Sequence, residues 1–333
     1  MRGVSRRALS LLMAAAVLVV ILAACGTPSI SIGPYDGKGM YALAMVSSSD
    51  VWAVGSGIMH YDGRHWQLVT EPTDASLSSI AMLSATDGWA AGEHTLLHYD
   101  GHGWQVAQTW PHVLLSNLVM LSATDGWMLA GSAPPDMKSY HDFMLHYDGQ
   151  TWSEVKLPIP SMGFLSLTTT SAHDLWLVAG KDYETPSLLL HYNGVDWSTT
   201  PIPALDNELF MSAWLIYSPS DFWLAGQRIH HFDGRTWKTV TTVEFGGPYK
   251  AVDMVSPHEG WLLGEQGIMH FVNGVWVLQK KVNPDSVSGT FMRSNSDGWV
   301  VGSQSVLVHG LYQFRPFFLH YDGLVWYEVS YLP

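Results

Sequence analysis

Histidines and acids in recurring places are the first candidates for chemistry. Seven His (His60, His98, His146, His191, His231, His270 and His320) each precede a Tyr or Phe. Of 29 acids, eleven Asp and one Glu recur at two fixed points of one pattern. A zinc site needs such ligands gathered around one ion. Seven equivalent positions spread over the chain cannot converge that way. A calcium loop alternates its acids, as in Asp-x-Asp-x-Asp, and the chain has no such run. The nucleophile signature Gly-x-Ser-x-Gly and the phosphate-binding P-loop are also absent from the sequence. A side chain bonded to its own hairpin is therefore expected for each His, and turn chemistry for the acids. No catalytic residue, metal or cofactor is expected, and the chain reads as a non-enzyme.

The pattern holding these residues recurs from about Met40 onward. Its first half is Ser, two residues, an acid, one residue, Trp, then Gly; its second half is His, an aromatic, an Asp-Gly or Asn-Gly turn, and Trp. The first copy is Ser47, Asp50, Trp52 and Gly55, then His60, Asp62, Gly63 and Trp66. Six more copies carry Trp89 and Trp104, Trp127 and Trp152, Trp176 and Trp197, Trp223 and Trp237, Trp261 and Trp276, and Trp299 and Trp326. Copy six departs twice, with Glu259 for Asp and its Asn273-Gly274 turn shifted by one residue. Within copy one the apolar runs are 41–46, 51–54, 58–61 and 65–69. Runs this short, bounded by Ser, Asp and Gly, are strands rather than helices. Asp-Gly between the last two signals a tight hairpin. In Ser-x-x-acid, both side chains are expected to bond turn amides.

Seven copies of four strands predict an all-β, seven-bladed propeller over 39–333. The Asp-x-Trp-x-x-Gly and Asp-Gly-x-x-Trp segments resemble Asp-box and kelch-type blades. They are most similar to the photosystem II assembly and stability factor type of repeat, as found in bacterial lipoproteins. That resemblance implies a propeller working as an assembly or binding scaffold. Fourteen of the 16 Trp are repeat positions, read as wedges between blades that each bury roughly 150–250 Å². Repeats and blades run in phase, so blade seven should hold 290–293, 298–301, 317–321 and 325–329, and closure should rest on apolar packing against blade one.

An address precedes the ring. Arg2, Arg6 and Arg7 lead an apolar run from Ala8 to Ala24, which reads as an export signal. The run ends Leu22-Ala23-Ala24-Cys25, resembling the lipobox of bacterial lipoproteins, in which Cys is acylated and becomes the mature N-terminus. Cys25 is the chain's single cysteine. Residues 1–24 are thus expected to be a signal peptide and 25–38 the lipidated Cys and tether, with the body extracytoplasmic on a bacterial membrane. An uncleaved signal anchor is the alternative. Sixteen Lys and Arg against 29 Asp and Glu, net −13, exclude a basic nucleic-acid binder. One cysteine also excludes a disulfide framework, and any copper centre needing a Cys–Tyr link.

Insertions in repeats gather on one face. From the second-strand Gly to the third-strand His the gap is 5 or 6 residues in four copies, but 15, 11 and 18 in copies three, four and seven. These loops share a face with the blade-to-blade links. The expected binding face, for a protein or alternatively a glycan partner, carries Trp110, Tyr140, His141, Tyr183, Tyr249, Tyr312, Phe314 and Arg315. Asp253 and Arg293 interrupt first strands of adjacent copies, and period-2 parity sets them on one side. An inter-blade ion pair is expected there, with a channel-lining ligand site as the alternative.

Overall fold

The alternating apolar runs pair as 28 antiparallel strands in seven four-stranded sheets. The computed structural model describes residues 39–132, 141–159, 163–171, 173–180, 187–202, 211–218, 221–240, 249–264, 267–282, 287–308 and 311–331. All belong to one unit, Tyr35–Pro333. The export segment, Cys25 and the tether lie outside the described residues.

Blade one is β1 (Met40–Ser47), β2 (Asp50–Gly55), β3 (Ile58–Tyr61) and β4 (Trp66–Val69), joined in that order. The first strands of the next five blades are β5 (Ser79–Ser84), β9 (Val113–Ser122), β13 (Phe164–Ser171), β17 (Met211–Ser218) and β21 (Tyr249–Ser256). Blade seven is β25 (Val287–Ser294), β26 (Asp297–Val308), β27 (Leu311–Tyr321) and β28 (Trp326–Glu328). Each first strand lies beside the next, and β25 lies beside β1, so the seven sheets close into a ring. The chain is a seven-bladed β-propeller with repeats and blades in phase.

Seven separate apolar clusters make the core, one at each blade boundary. A repeat Trp leads each blade into the next. Trp52 meets Tyr99 and Trp104 of blade two, Trp223 meets Phe271 and Trp276 of blade six, and Trp299 closes the ring on Tyr61 and Trp66. These rings are buried, and nine repeat indole N–H groups have no hydrogen-bond partner in this packing. The indoles therefore work through their area, which outweighs an unmade N–H bond. Closure has one component beyond packing. After β28 the chain crosses to blade one, where Tyr331 bridges Trp66 in parallel.

Small residues accommodate large ones across the first hairpin. Gly88, Gly126, Gly260 and Gly298 each lie where a Cβ would overlap the sulfur of Met82, Met120, Met254 or Met292. Where the first strand offers Thr169 or Ile216, the second strand opposite carries Leu175 or Phe222 instead.

Candidate functional site

Hairpins between first and second strands, and between third and fourth, open at one end of the ring. The repeated polar residues meet there. Each repeat acid accepts a bond from the Nε2–H of the repeat His across the sheet: Asp50 from His60 at 2.8 Å, Asp87 from His98 at 2.9 Å, Glu259 from His270 at 3.3 Å, and Asp297 from His320 at 2.9 Å. The imidazole also stacks on the repeat Trp, as Trp176 on His191 with centroids 3.8 Å apart. This corrects two expectations. The His bonds the acid of the neighbouring turn rather than its own hairpin, and the acid serves the His rather than turn amides. Strand register causes both: Trp52 lies directly opposite His60, and Asp50 two residues earlier comes within reach of the ring. The Ser behaves as expected, Ser47 Oγ accepting the Ser49 N–H at 3.2 Å.

The Asp-Gly turns complete this end. Asp62 Oδ1 accepts the N–H groups of Arg64 and His65, both at 2.9 Å, and Asp100, Asp148 and Asp322 repeat the arrangement. Those amides hold all four carboxyls below the usual carboxylate range. Lys238, 2.6 Å away, has the largest lowering effect on Asp233. Gly63 needs its φ of 89° and also lies against Ser49 of the neighbouring turn. In blade six, Val272 pairs with Val275, so Asn273 and Gly274 form a two-residue turn with both φ positive, which explains the shifted spacing. His94, His98 and His102 stand four residues apart, a spacing that gathers ligands on a helix. Here they fall on a turn, a strand and a hairpin loop. Among the described residues no group of three or more His, Cys, Asp or Glu is placed to hold a metal ion.

The expected Asp253–Arg293 pair does not form. Asp253 Oδ2 accepts the Met292 N–H of blade seven at 2.5 Å, and Arg293 Nε donates to Asp297 at 2.8 Å within its own blade. A bulge between Met292 and Ser294 breaks the period-2 parity behind the expectation. Asp253 is half-buried between blades six and seven, and desolvation there pushes its carboxyl up to about 7 against the lowering effect of the Met292 amide. Arg293 borders an open cleft of about 390 Å³ between blades six and seven, with Ser256, Glu259, Ser294 and Asn295. Turn residues line it, so it opens at the Asp-Gly end and not on the expected face. Asp297 also receives His320, whose Nδ1 accepts the Tyr327 hydroxyl at 2.7 Å. Burial foremost, then Asp322 and Asp297, raise the Tyr327 pKa.

At the other end of the ring, the eight expected face residues separate. Tyr140 and Tyr183 lie outside the described residues. Tyr249 is 2% exposed and belongs to the core between blades five and six, which corrects its assignment to a binding face. Trp110 is half-buried against the cluster between blades two and three. His141 is exposed and stacks on Phe143. Tyr312 and Phe314 are 71% and 47% exposed, and Arg315 is half-buried.

Tyr312 and Phe314 belong to an extended hairpin. In blade one the second and third strands separate after Val54 pairs with Ile58. In blade seven, β26 and β27 continue past Gly302–Phe317 through six more pairs, from Ser303–Pro316 to Val308–Leu311. At ~3.4 Å per residue this adds ~20 Å beyond the blade. Leu307 lies opposite Tyr312, and Ser305 opposite Phe314. By period-2 alternation all four share the side of Trp299, which faces blade one. Leu307 is 63% exposed, so three large apolar side chains stand together in solvent. The long gap in copy seven signals this hairpin in the sequence; the share of Leu307 in its face follows only from its pairing with Tyr312.

No family model matches this chain, and no curated protein matches it. Solved structures match over most of its length. A streptogramin B lyase aligns with TM-score 0.60 and 15% identity, covering 86% of this chain and 95% of its own. The WD40 β-propeller domain of Doa1 aligns with TM-score 0.57 and 11% identity, covering 86% and 97%. A prolyl endopeptidase structure gives TM-score 0.56 and 13% identity over 90% of this chain and 49% of its own. At such identities the likeness shows the fold alone. It also corrects the exclusion of catalysis. Enzymes are built on this fold, so missing sequence signatures do not make the chain a non-enzyme.

Proposed function

We propose that this chain is a cell-envelope protein of a bacterium, held at a membrane surface by a lipid on Cys25, with a propeller that docks another envelope component on its loop face. The exposed side of the blade-seven hairpin carries the reading. Leu307, Tyr312 and Phe314 cluster in solvent at 63%, 71% and 47% exposure, whereas Trp52, Trp223 and Trp261 at other blade boundaries are buried. A contiguous exposed apolar patch of this kind marks an interaction site. Protein is favoured over the glycan alternative because Leu307 and Phe314 contribute apolar area without a polar group to read a sugar hydroxyl.

The address and the docking role are tested apart. Cys25→Ser should abolish metabolic lipid labelling and release the protein from the membrane fraction; continued labelling would reject the anchor. Leu307→Ser/Tyr312→Ser/Phe314→Ser should keep the folded-state circular dichroism. Quantitative co-purification from the envelope should lose a defined set of proteins with that variant. An unchanged set would reject the docking role.

A further inference from the structure

The hairpin that carries the docking proposal has a second property, its open backbone edge. In blade one the outer strand β4 pairs along all of β3, from Ile58–Val69 to Tyr61–Trp66. In blade seven, β28 pairs with β27 only from Leu319–Glu328 to Tyr321–Trp326, with one further bond from the Val329 N–H to the Phe318 carbonyl. The chain then leaves for blade one, where Tyr331 bridges Trp66. Among the described residues no strand pairs with the outer edge of β27 over Leu311–Phe317. The Val329 bond sets the even-numbered residues of β27 outward, so Tyr312 and Phe314 each present an N–H and a C=O at this edge, and Pro316 a C=O alone. Such an edge is a template for another strand.

The setting narrows what could occupy it. The apolar side of the hairpin overlooks blade one, whose corresponding turn is short and tied down, with the Ser56 N–H on the Gly39 carbonyl at 3.0 Å. Gly39 in turn lies against Ser303 at the hairpin base. The hairpin thus forms a wall above a low floor. Insertion into lipid hydrocarbon would leave the edge amides without partners. A sugar would satisfy few of them in register. Charge adds a further condition. The chain is net −13, yet residues 303–316 hold no Asp or Glu, and Arg315 is their charged residue.

We infer that the outer edge of β27, over Leu311–Phe317, takes up an extended segment of a partner protein as an added antiparallel or parallel strand. Main-chain bonds give this mode its affinity, and alternate side chains give its selectivity. The segment alternates apolar and polar residues, and its apolar side extends the Leu307–Tyr312–Phe314 surface. The hairpin has no carboxylate between 303 and 316 to repel acidic flanks on it, so it favours those. This inference rests on the docking reading of the same hairpin and goes further by naming the partner's chemistry.

The test pans a random nine-residue peptide library against the full chain in detergent. The consensus peptide is then compared with the same peptide N-methylated at alternate amides, each measured by fluorescence anisotropy. Anionic phospholipid vesicles and a soluble oligosaccharide panel run alongside. The expected result is an alternating, acid-flanked consensus. Its binding should fall at least roughly tenfold on N-methylation and again with Phe314→Ser, in a variant whose circular dichroism is unchanged. Failure to enrich any peptide, or equal binding by the N-methylated form, would overturn strand addition. If vesicles or oligosaccharides alone lose their hold on the variant, strand addition fails while docking on the hairpin stands. If no arm responds to the variant, both readings fall.

Discussion

At the Asp-Gly end of the ring, every blade ties its four strands together with the same few residues; at the other end, blade seven sends out the longest hairpin among the described residues. The first end hides its chemistry. Seven imidazoles lie against a repeat Trp, six of them stacked and His98 tilted, and each is held by an acid within its own blade. The second end leaves large apolar side chains and a strand edge in water. Repetition of polar groups is thus the mark of structure in this chain, and departure from the repeat is the mark of a candidate site.

The comparison breaks most readily at the Trp wedges. Trp299 is fully buried at the closing boundary. Trp299→Ala should cost about 3–5 kcal/mol by cavity formation, read from urea unfolding. Phe314→Ser should change stability by less than about 0.5 kcal/mol. Equal losses would mean that the hairpin is part of the core and that the two ends are not distinct.

A pH series separates two classes of carboxyl. Asp253 titrates near 7 when folded and near the ordinary carboxylate value when unfolded. Between those values the folded state binds the extra proton, so its contribution to stability is present at low pH and lost as pH rises toward 7. Asp253→Asn should therefore stabilise the chain at pH 8, on the order of 1–3 kcal/mol, and do little at pH 4. The turn carboxyls behave oppositely, because amide donors lower their pKa. Their contribution is present above the ordinary carboxylate pKa and lost as pH falls through the lowered folded value. A gain from Asp253→Asn that is the same at both pH values would contradict the account of its burial.

A smaller effect probes the Met–Gly fit. Gly88→Ala should cost about 1 kcal/mol, toward the low end for overpacking, because the obstructing atoms are the flexible end of Met82. Blade one shows that a Met can be reseated there, since Met45 lies opposite Val51. Adding Met82→Ala should make Gly88→Ala nearly neutral in a double-mutant cycle. Simple additivity would place the obstruction elsewhere.

Redundancy explains what was legible in the sequence. Seven copies of Asp-x-Trp, His-aromatic and Asp-Gly leave little freedom in blade number, turn position or the role of the Trp. Relations across strands were harder. The His–acid bond follows from register, which neither residue states alone. Arg293 lay beyond the reach of parity because a bulge intervenes at that residue. Tyr249 looked like a link aromatic, but as the first residue of β21 it turns into the core. The Met–Gly fit does have a sequence signal: Met82, Met120, Met254 and Met292 each precede their Gly by six residues. Exposure of the hairpin was legible as extra length, while its open edge depended on where β28 departs.

Hydrogen exchange of the full chain, free and with the peptide enriched by panning, tests the central claim most directly. The account predicts fast exchange at the outward-facing amides of Tyr312 and Phe314 in the free protein and slow exchange once the peptide is bound, with the five Asp-Gly and two Asn-Gly turns unchanged. Protection gained at those turns, with Leu311–Phe317 unaffected, would contradict it and place the interaction at the repeated end of the ring.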